Sequence, residues 1–417
     1  MAKHSLKTTF TYRIFTWILF PAACIFCLFT AIKHRHLAYI FHRIGRYPKI
    51  NNSGKVIWCH CASVGELNTA LPLLKKLIEN NYHLLVSTNT LTSKQVFDNA
   101  SLPNSLHVFL PLDYHKIANR FINKFNPEYC LVFETELWPS ILLATLNRNI
   151  PVSILNGRIS DKTFNAPSFL KTNYQKILAN ISHIIASNQE NARRFITLGA
   201  DAHRVQIYEN LKFANLSLTK NENSERPLAH RYFLCASTHE GEEKGILKAW
   251  NKNRPIGFGL VIAIRHPHRN KDVCNIIKQS GCTFALHSEQ PTDVSLNDIY
   301  VIDTIGDLIP FYQHADIVFM GGSLAPIGGH NVLEPAEFEK CIITGPHFQS
   351  FTDIVQGLLD CKGIIVINNY AELIQEVITL INDDELRTTV GKNSKQYLSS
   401  KINLLEEYAK AVLKILN

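Results

Sequence analysis

Several signatures are missing from this sequence, and each absence removes a class of chemistry. No Gly-x-Gly-x-x-Gly follows the first apolar run and there is no P-loop lysine, which argues against a dehydrogenase and an ATPase. No Asp-x-Asp occurs, so a metal held by paired aspartates on a nucleotide is not supported. Cys59-His60-Cys61 is the tightest group of potential ligands, yet no second pair follows at zinc spacing. Along a strand, alternation puts both of its thiols on one face and His60 on the other, and the group reads as core. Basic and aromatic residues are not interleaved as base-stacking surfaces require, so nucleic acid is not expected as a partner. No repeat of fixed period is present.

What is there describes a folded protein. Hydrophobic residues make up 46% and charged residues only 19%, outside the disordered range. A chain of 417 residues exceeds one ordinary core and suits two domains of roughly 150–200 residues. The formal net charge of +8 suits an anionic membrane surface or a phosphorylated substrate. Cys24, Cys27, Cys130, Cys235 and Cys341 sit inside apolar runs, as buried reduced thiols do, consistent with a cytosolic-facing location.

Residues 15–32 carry no charge and are just long enough, as a helix, to cross a bilayer core of about 30 Å, although Pro21 interrupts them. Lys3, Lys7 and Arg13 precede the run, and Lys33, Arg35, Arg43 and Arg46 follow it. No small-x-small cleavage site precedes the basic stretch, so a retained anchor is expected and not a signal peptide. Length and composition leave open whether it spans the bilayer or lies in its interface.

From residue 55 onward, apolar runs alternate with helical spacing. Strands are expected at 55–62, 83–87, 129–133, 152–155 and 183–186, with helices at 64–79, 93–99 and 139–146. A polar stretch at 215–227 reads as a linker. A second series comes after it, with strands at 232–236, 259–264, 283–286, 300–302, 317–320, 341–344 and 363–367. The expected architecture is α/β, with a membrane anchor and basic segment at 1–46, a first Rossmann-like domain at 47–214 and a second at 228–417. Two such domains face a central cleft, where the carboxyl ends of the strands place ligands.

Candidate site residues fall where strands turn into helices. Ser63-Val64-Gly65-Glu66 puts a carboxylate at such a turn, where Glu66 suits either a general base or a helix-stabilising acid. Glu134 and Glu136 precede a helix expected to start at Pro139. Lys212, in Asn-Leu-Lys-Phe, can neutralise anionic charge. In the second half, residues 237–243 open a helix whose hydroxyls and amides suit a phosphate, while Glu242 and Glu243 would complement its dipole. Residues 265–269, Arg-His-Pro-His-Arg, add fixed positive charge. Residues 320–338 carry two glycine pairs and a helix expected near Asn331, with Glu334 in its first turn.

Together these segments resemble the Kdo transferases, which move 3-deoxy-D-manno-octulosonic acid (Kdo) from its CMP-activated donor onto a lipid A precursor in lipopolysaccharide synthesis. The resemblance rests on Ser-Val-Gly-Glu at 63–66, Glu-Thr-Glu-Leu-Trp-Pro at 134–139, Asn-Gly-Arg-Ile-Ser at 156–160 and Asn-Leu-Lys-Phe at 210–213. It continues in Ser-Thr-His-Glu-Gly-Glu-Glu at 237–243, Arg-His-Pro at 265–267, Gly-Gly-His-Asn-Val-Leu-Glu-Pro at 328–335 and Gly-Pro-His at 345–347. It implies a GT-B glycosyltransferase with the acceptor, lipid IVA, on the N-terminal domain and CMP-Kdo on the C-terminal one. Glu66 is then the general base, and Glu134 and Lys212 support the transition state. CMP lies against Ile264, Arg265, Ile305, Gly306, Asp307, Asn331, Val332, Leu333 and Glu334. The implied reaction is inverting, uses no cofactor or metal, and runs on the cytoplasmic face of a bacterial inner membrane. Two departures from the family pattern are present: Ile264 stands where proline is frequent, and Ile305-Gly306-Asp307 where Met-Gly-Glu is common. The rival readings are a transferase of the same fold using a UDP-sugar, and a membrane-tethered nucleotide-binding protein without catalysis.

Overall fold

The computed structural model describes residues 5–48, 56–213, 225–291, 294–401 and 403–416. The chain forms two compact units, Met1–Asn215 with Asn403–Asn417, and Leu216–Ile402. The first is built on a seven-stranded sheet: β1 Val56–His60, β2 His83–Thr88, β3 Ser105–Phe109, β4 Tyr129–Phe133, β5 Val152–Gly157, β6 His183–Ala186 and β7 Val205–Ile207, in the order β3-β2-β1-β4-β5-β6-β7. Every pair in it is parallel. Parallel sheets bury both faces, and the sequence of each central strand supplies two apolar sides. Trp58, Cys130 and Val132 face one core with Phe121, Ile141 and Phe195. Cys59, Cys61, Leu131 and Phe133 face the other with Leu67, Leu74 and Leu77 of the helix Val64–Glu79. The Cys59/Cys61 pair is therefore core, as its alternation implies.

The second unit repeats the architecture. Its strands are β8 Arg231–Thr238, β9 Phe258–Ile264, β10 Phe284–Leu286, β11 Ile299–Ile302, β12 Ile317–Met320, β13 Cys341–Thr344 and β14 Ile365–Val366, ordered β10-β11-β9-β8-β12-β13-β14. All of these pairs are parallel too. Its core centres on Phe233, Trp250, Phe319 and Ile343.

Three expectations change. The edge strands β3 and β7 are not evident in the sequence, because Ser105, His107 and Gln206 dilute their apolar runs. The helix expected near Asn331 is only Leu333–Glu337, and Leu333 N–H is already taken by Asn331 Oδ1 at 3.2 Å. So short a helix contributes little dipole. The last helix, Leu404–Leu416, packs on the first unit and not within 228–417 as expected. Tyr408 and Val412 are buried against its core, Asn156 N–H donates to Tyr408 Oη at 2.5 Å, and Lys76 pairs with Glu406 at 2.8 Å. Of the expected linker 215–227, residues 215–224 lie outside the described residues.

The N-terminal apolar run is a helix, Phe10–Lys33, longer than the expected 15–32 and with Pro21 inside it. By length and composition it is sufficient to cross a membrane.

Candidate active site

In each sheet the strand order reverses at one place, between β1 and β4 in the first unit and between β8 and β12 in the second. At such a switch point the connections leave in opposite directions and open a crevice at the carboxyl ends of the strands. Residues 63–66 and 134–139 follow β1 and β4, and residues 237–243 and 320–338 follow β8 and β12, so these four motifs fall at the two points.

In the first unit, β1 ends at His60 and the helix Val64–Glu79 starts after Ser63. Ser63 Oγ accepts from Glu66 N–H at 3.2 Å and donates to Glu66 Oε1 at 2.9 Å, while Ala62 N–H donates to Glu66 Oε2 at 2.7 Å. This reciprocal cap fixes the carboxylate in one rotamer at the head of the helix. Adjacent β4 runs into Glu134, whose φ of 59° is left-handed. That conformation costs a non-glycine residue roughly 1–2 kcal/mol, and it is held by the Glu134 N–H bond to Leu155 O at 2.9 Å. Strain of this kind collects where a side chain must be aimed.

Three carboxylates thus converge. Burial, then the charges of Glu136 and Glu134, push Glu66 up to about 8, against the opposing hydrogen bonds from Ala62 and Ser63. Glu136 goes the other way: although burial acts to raise it, His60 and the Trp138 indole hold it below the ordinary range. Its Oε2 lies 3.8 Å from His60 Nε2 and accepts from Trp138 Nε1–H. His60 is 2% exposed, and its Nδ1 is 2.9 Å from Ser87 Oγ, which also accepts from Trp58 Nε1–H at 2.8 Å. His60 is thus held from the core side and stands within ion-pair distance, but not hydrogen-bond distance, of the carboxylate beside Glu66. The sequence displays Glu136 but not its partner His60. The available signal is the alternation along β1, which places that imidazole opposite the two thiols.

Lys212 lies in a turn built on β5. Asn156, buried with φ 53°, accepts Leu211 N–H at 3.0 Å, and Asn210 Oδ1 accepts Lys212 N–H at 3.0 Å. The turn that carries Lys212 is thereby tied to the carboxyl end of a strand next to β4.

In the second unit, the expectation that Glu242 and Glu243 merely complement a helix dipole is wrong. Both are fully buried. Glu242 accepts four backbone amides: His239 at 3.0 Å, Gly322 at 2.7 Å, Leu324 at 3.1 Å and Ala325 at 3.2 Å. It therefore ties the loop after β8 to the glycine loop after β12. Glu243 forms a two-pronged pair with Arg269 at 2.9 and 3.2 Å and accepts Thr238 Oγ1–H at 3.0 Å. The Thr238 hydroxyl expected to reach a phosphate is consumed inside this network. Gly321 is required here, since a Cβ would lie 2.6 Å from Ser237 O.

Around this clamp stand His239 and His330, stacked at 5.0 Å with their Nε2 atoms 2.7 Å apart, and His266, edge-on to His239 at 5.4 Å. Burial, then His239 and Arg265, pushes His330 down to about 4. Both rings close on Gly322, whose missing side chain leaves them the room. Ile264 ends β9 and Arg265 N–H bonds to Thr238 O at 3.1 Å, so the Arg265 side chain leaves from the β8 edge. Asn331 Nδ2–H donates to Glu334 Oε1 at 3.0 Å, and burial raises Glu334 above the ordinary carboxylate range. Val332 and Leu333 are buried beneath them. Ile305, Gly306 and Asp307 form a separate exposed turn after β11. Ile305 is 83% exposed, and Asp307 is 3.8 Å from His287 across a cavity of about 370 Å³. The His239–His330 contact is invisible in the sequence, since nothing in the spacing of residues 91 apart announces it.

Residues 38–215 match the family of 3-deoxy-D-manno-octulosonic-acid transferases (kdotransferases). The chain is 31% identical to the 3-deoxy-D-manno-octulosonic acid transferase of Haemophilus influenzae, over 92% of each chain. It belongs to the Kdo transferase family. The transferase of Rickettsia prowazekii is 32% identical, over 87% of this chain and 80% of its own. A solved glycosyltransferase from Rickettsia africae shares the fold, with a TM-score of 0.62 at 16% identity over 87% of this chain and 98% of its own. The chain is accordingly a glycosyltransferase of the GT-B fold and of the Kdo-transferring family, and the rival reading without catalysis is set aside.

Proposed function

We propose that this Kdo transferase takes its sugar from CMP-Kdo and delivers it to lipid IVA, by one inverting displacement, on the cytoplasmic face of a bacterial inner membrane. The observation that carries the reading is Glu66, fixed by its cap, half-buried and raised to about 8 beside Glu134 and Glu136. A carboxylate so placed is a stronger base than an ordinary one and is still ionised in part at neutral pH.

The acceptor hydroxyl loses its proton to Glu66 as its oxygen attacks the anomeric carbon of Kdo. The bond from that carbon to the phosphate oxygen breaks, and its electron pair leaves with CMP. Glu134 and Lys212 support the transition state. CMP is held by Ile264, Arg265, the turn Ile305-Gly306-Asp307 and residues 331–334, with the fixed positive charge of Arg265 on the side of the departing phosphate. Fixed cations and oriented donors serve the leaving group in this scheme, so no metal takes part.

Two measurements test this scheme. Because Glu66 acts in its ionised form, kcat/KM is expected to fall as the pH drops through about 8 and to level off above it. A profile flat from mildly acidic to mildly alkaline pH rules Glu66 out as the base. Second, CMP is expected to displace a labelled CMP-sugar from the protein at least tenfold more effectively than UDP, as an order-of-magnitude criterion. Equal or better competition by UDP moves the assignment to a UDP-sugar transferase.

A further inference from the structure

We propose that the helix Phe10–Lys33 does not cross the bilayer but lies in the plane of one anionic leaflet, as part of the wall of the first unit. This placement rests on the membrane association that belongs to the function proposed above.

The two ends of the helix decide this. Before it, Leu6 exchanges two backbone hydrogen bonds with the Asn147 side chain, at 2.7 Å each, and Thr9 N–H donates to Asn173 Oδ1 at 2.9 Å. After it, the chain turns at Arg35 and enters the helix Leu37–Arg43, where Tyr39 packs edge-on against Phe109 of β3. There Arg43 donates to Leu110 O at 2.7 Å. Asn147, Asn173 and Phe109 belong to the same folded unit. A spanning helix puts its two ends on opposite sides of the membrane, and one globular unit cannot hold both.

The middle agrees with the ends. Tyr12, Cys27 and Ala31 are buried, while Thr16, Phe20, Ala23 and Cys24 are half-buried. Steps of three and four trace a single stripe along the helix. Tyr12 Oη donates to Asp113 Oδ2 at 2.5 Å, and Phe20 stacks on Tyr114 at 4.9 Å. From Tyr12 to Ala31 the stripe is about 28 Å long at 1.5 Å per residue, nearly the thickness of a bilayer core. No free stretch is left to cross it, and crossing would draw Asp113 and Asn173 into hydrocarbon.

The outer face names its occupant. Trp17, Ile18, Ile25, Phe26, Phe29 and Ile32 are 61–68% exposed. Exposed Arg13, Lys33, Arg35 and Arg46 flank them, and the sequence contains no Asp or Glu before Glu66. An apolar stripe flanked along the chain by cations and by no acid fits a leaflet of anionic phospholipid. A cavity of about 250 Å³ beside the helix, lined by Arg13, Trp17, Tyr114 and His115, collects aromatic and basic groups of the kind that suit lipid headgroups. Asp113 joins this helix to the active edge. Its Oδ2 accepts from Tyr12 and from Ser140 N–H at 3.0 Å, at the start of the helix that comes after Glu134 and Glu136.

The full-length protein, tagged at both ends, is to be treated with protease in sealed inner-membrane vesicles of known orientation. Both tags cleaved from the cytoplasmic side is the expected result. One tag protected and one cleaved overturns the in-plane assignment while leaving membrane association intact; protein found wholly in the soluble fraction overturns both. The double variant Trp17→Asp/Ile18→Asp alters only exposed positions, so folding is preserved. It is expected to lower binding to phosphatidylglycerol-containing vesicles at least about tenfold. Undiminished binding assigns attachment to another surface and also overturns the proposal.

Discussion

Replacing Glu66 by Gln is expected to slow Kdo transfer by a factor of about 10²–10⁴ and to leave binding of the donor nucleotide unchanged. Gln has the same size, and its carbonyl still accepts Ala62 N–H. The Ser63 hydroxyl, which now donates to Oε1, can rotate to accept from the new amide, so the helix cap survives. What disappears is the proton acceptor. Circular dichroism and thermal unfolding close to those of the parent, with turnover lost and CMP affinity kept, constitute the expected outcome. Turnover retained within a few-fold of the parent reduces Glu66 to a helix cap. Glu134→Gln separates the charges in a second way. Glu134 is the second of the two carboxylates that raise Glu66, so its removal is expected to move the pH profile toward lower pH.

The second large effect is structural and lies in the other unit. Glu242→Gln is expected to destabilise that unit by about 3 kcal/mol or more and to weaken donor binding with it. Each Glu242 oxygen accepts two backbone N–H groups, from His239 and Gly322 on one side and from Leu324 and Ala325 on the other. Gln keeps only one acceptor. Its NH₂ would then face two amide donors in a site with no solvent, and two buried N–H groups lose their partners. Thermal unfolding checks the stability term and calorimetry with CMP checks the binding term. A variant as stable as its parent, with unchanged affinity, contradicts the role assigned to this clamp. Arg269→Ala, which strands buried Glu243, probes the neighbouring pair and is expected to cost about 3–5 kcal/mol.

The contrast between the two units shows what a sequence displays and what it conceals. Strands β4, β6, β12 and β13 have the bounds read from the sequence, and so has the helix Val64–Glu79, because a strand buried on both faces and an amphipathic helix write their periods directly. Glu66 is legible as a residue at a strand–helix turn, although its raised basicity is not, since Glu134 and Glu136 come from a strand about 70 residues away. Glu242 shows the opposite case. An acid in the first turn of a helix usually faces water and answers the dipole, and only the return of β12 beside β8 covers it and supplies three of its four donors. His239 and His330 meet for the same topological reason. The terminal helix falls to the nearer domain in the sequence because chain order is the only guide before contacts are known. Likewise, hydropathy measures how long the N-terminal helix is, while its orientation depends on Asn147, Asn173 and Phe109, which hydropathy does not read.

The most direct test of the central claim is transfer of labelled Kdo from CMP-Kdo to lipid IVA by membranes containing this protein, with EDTA present throughout. Labelled lipid is expected, formed at the same rate with or without the chelator, and its migration counts the Kdo units added. No labelled lipid from protein that is folded and binds CMP contradicts the proposed acceptor, and product lost only when EDTA is added contradicts the metal-free mechanism.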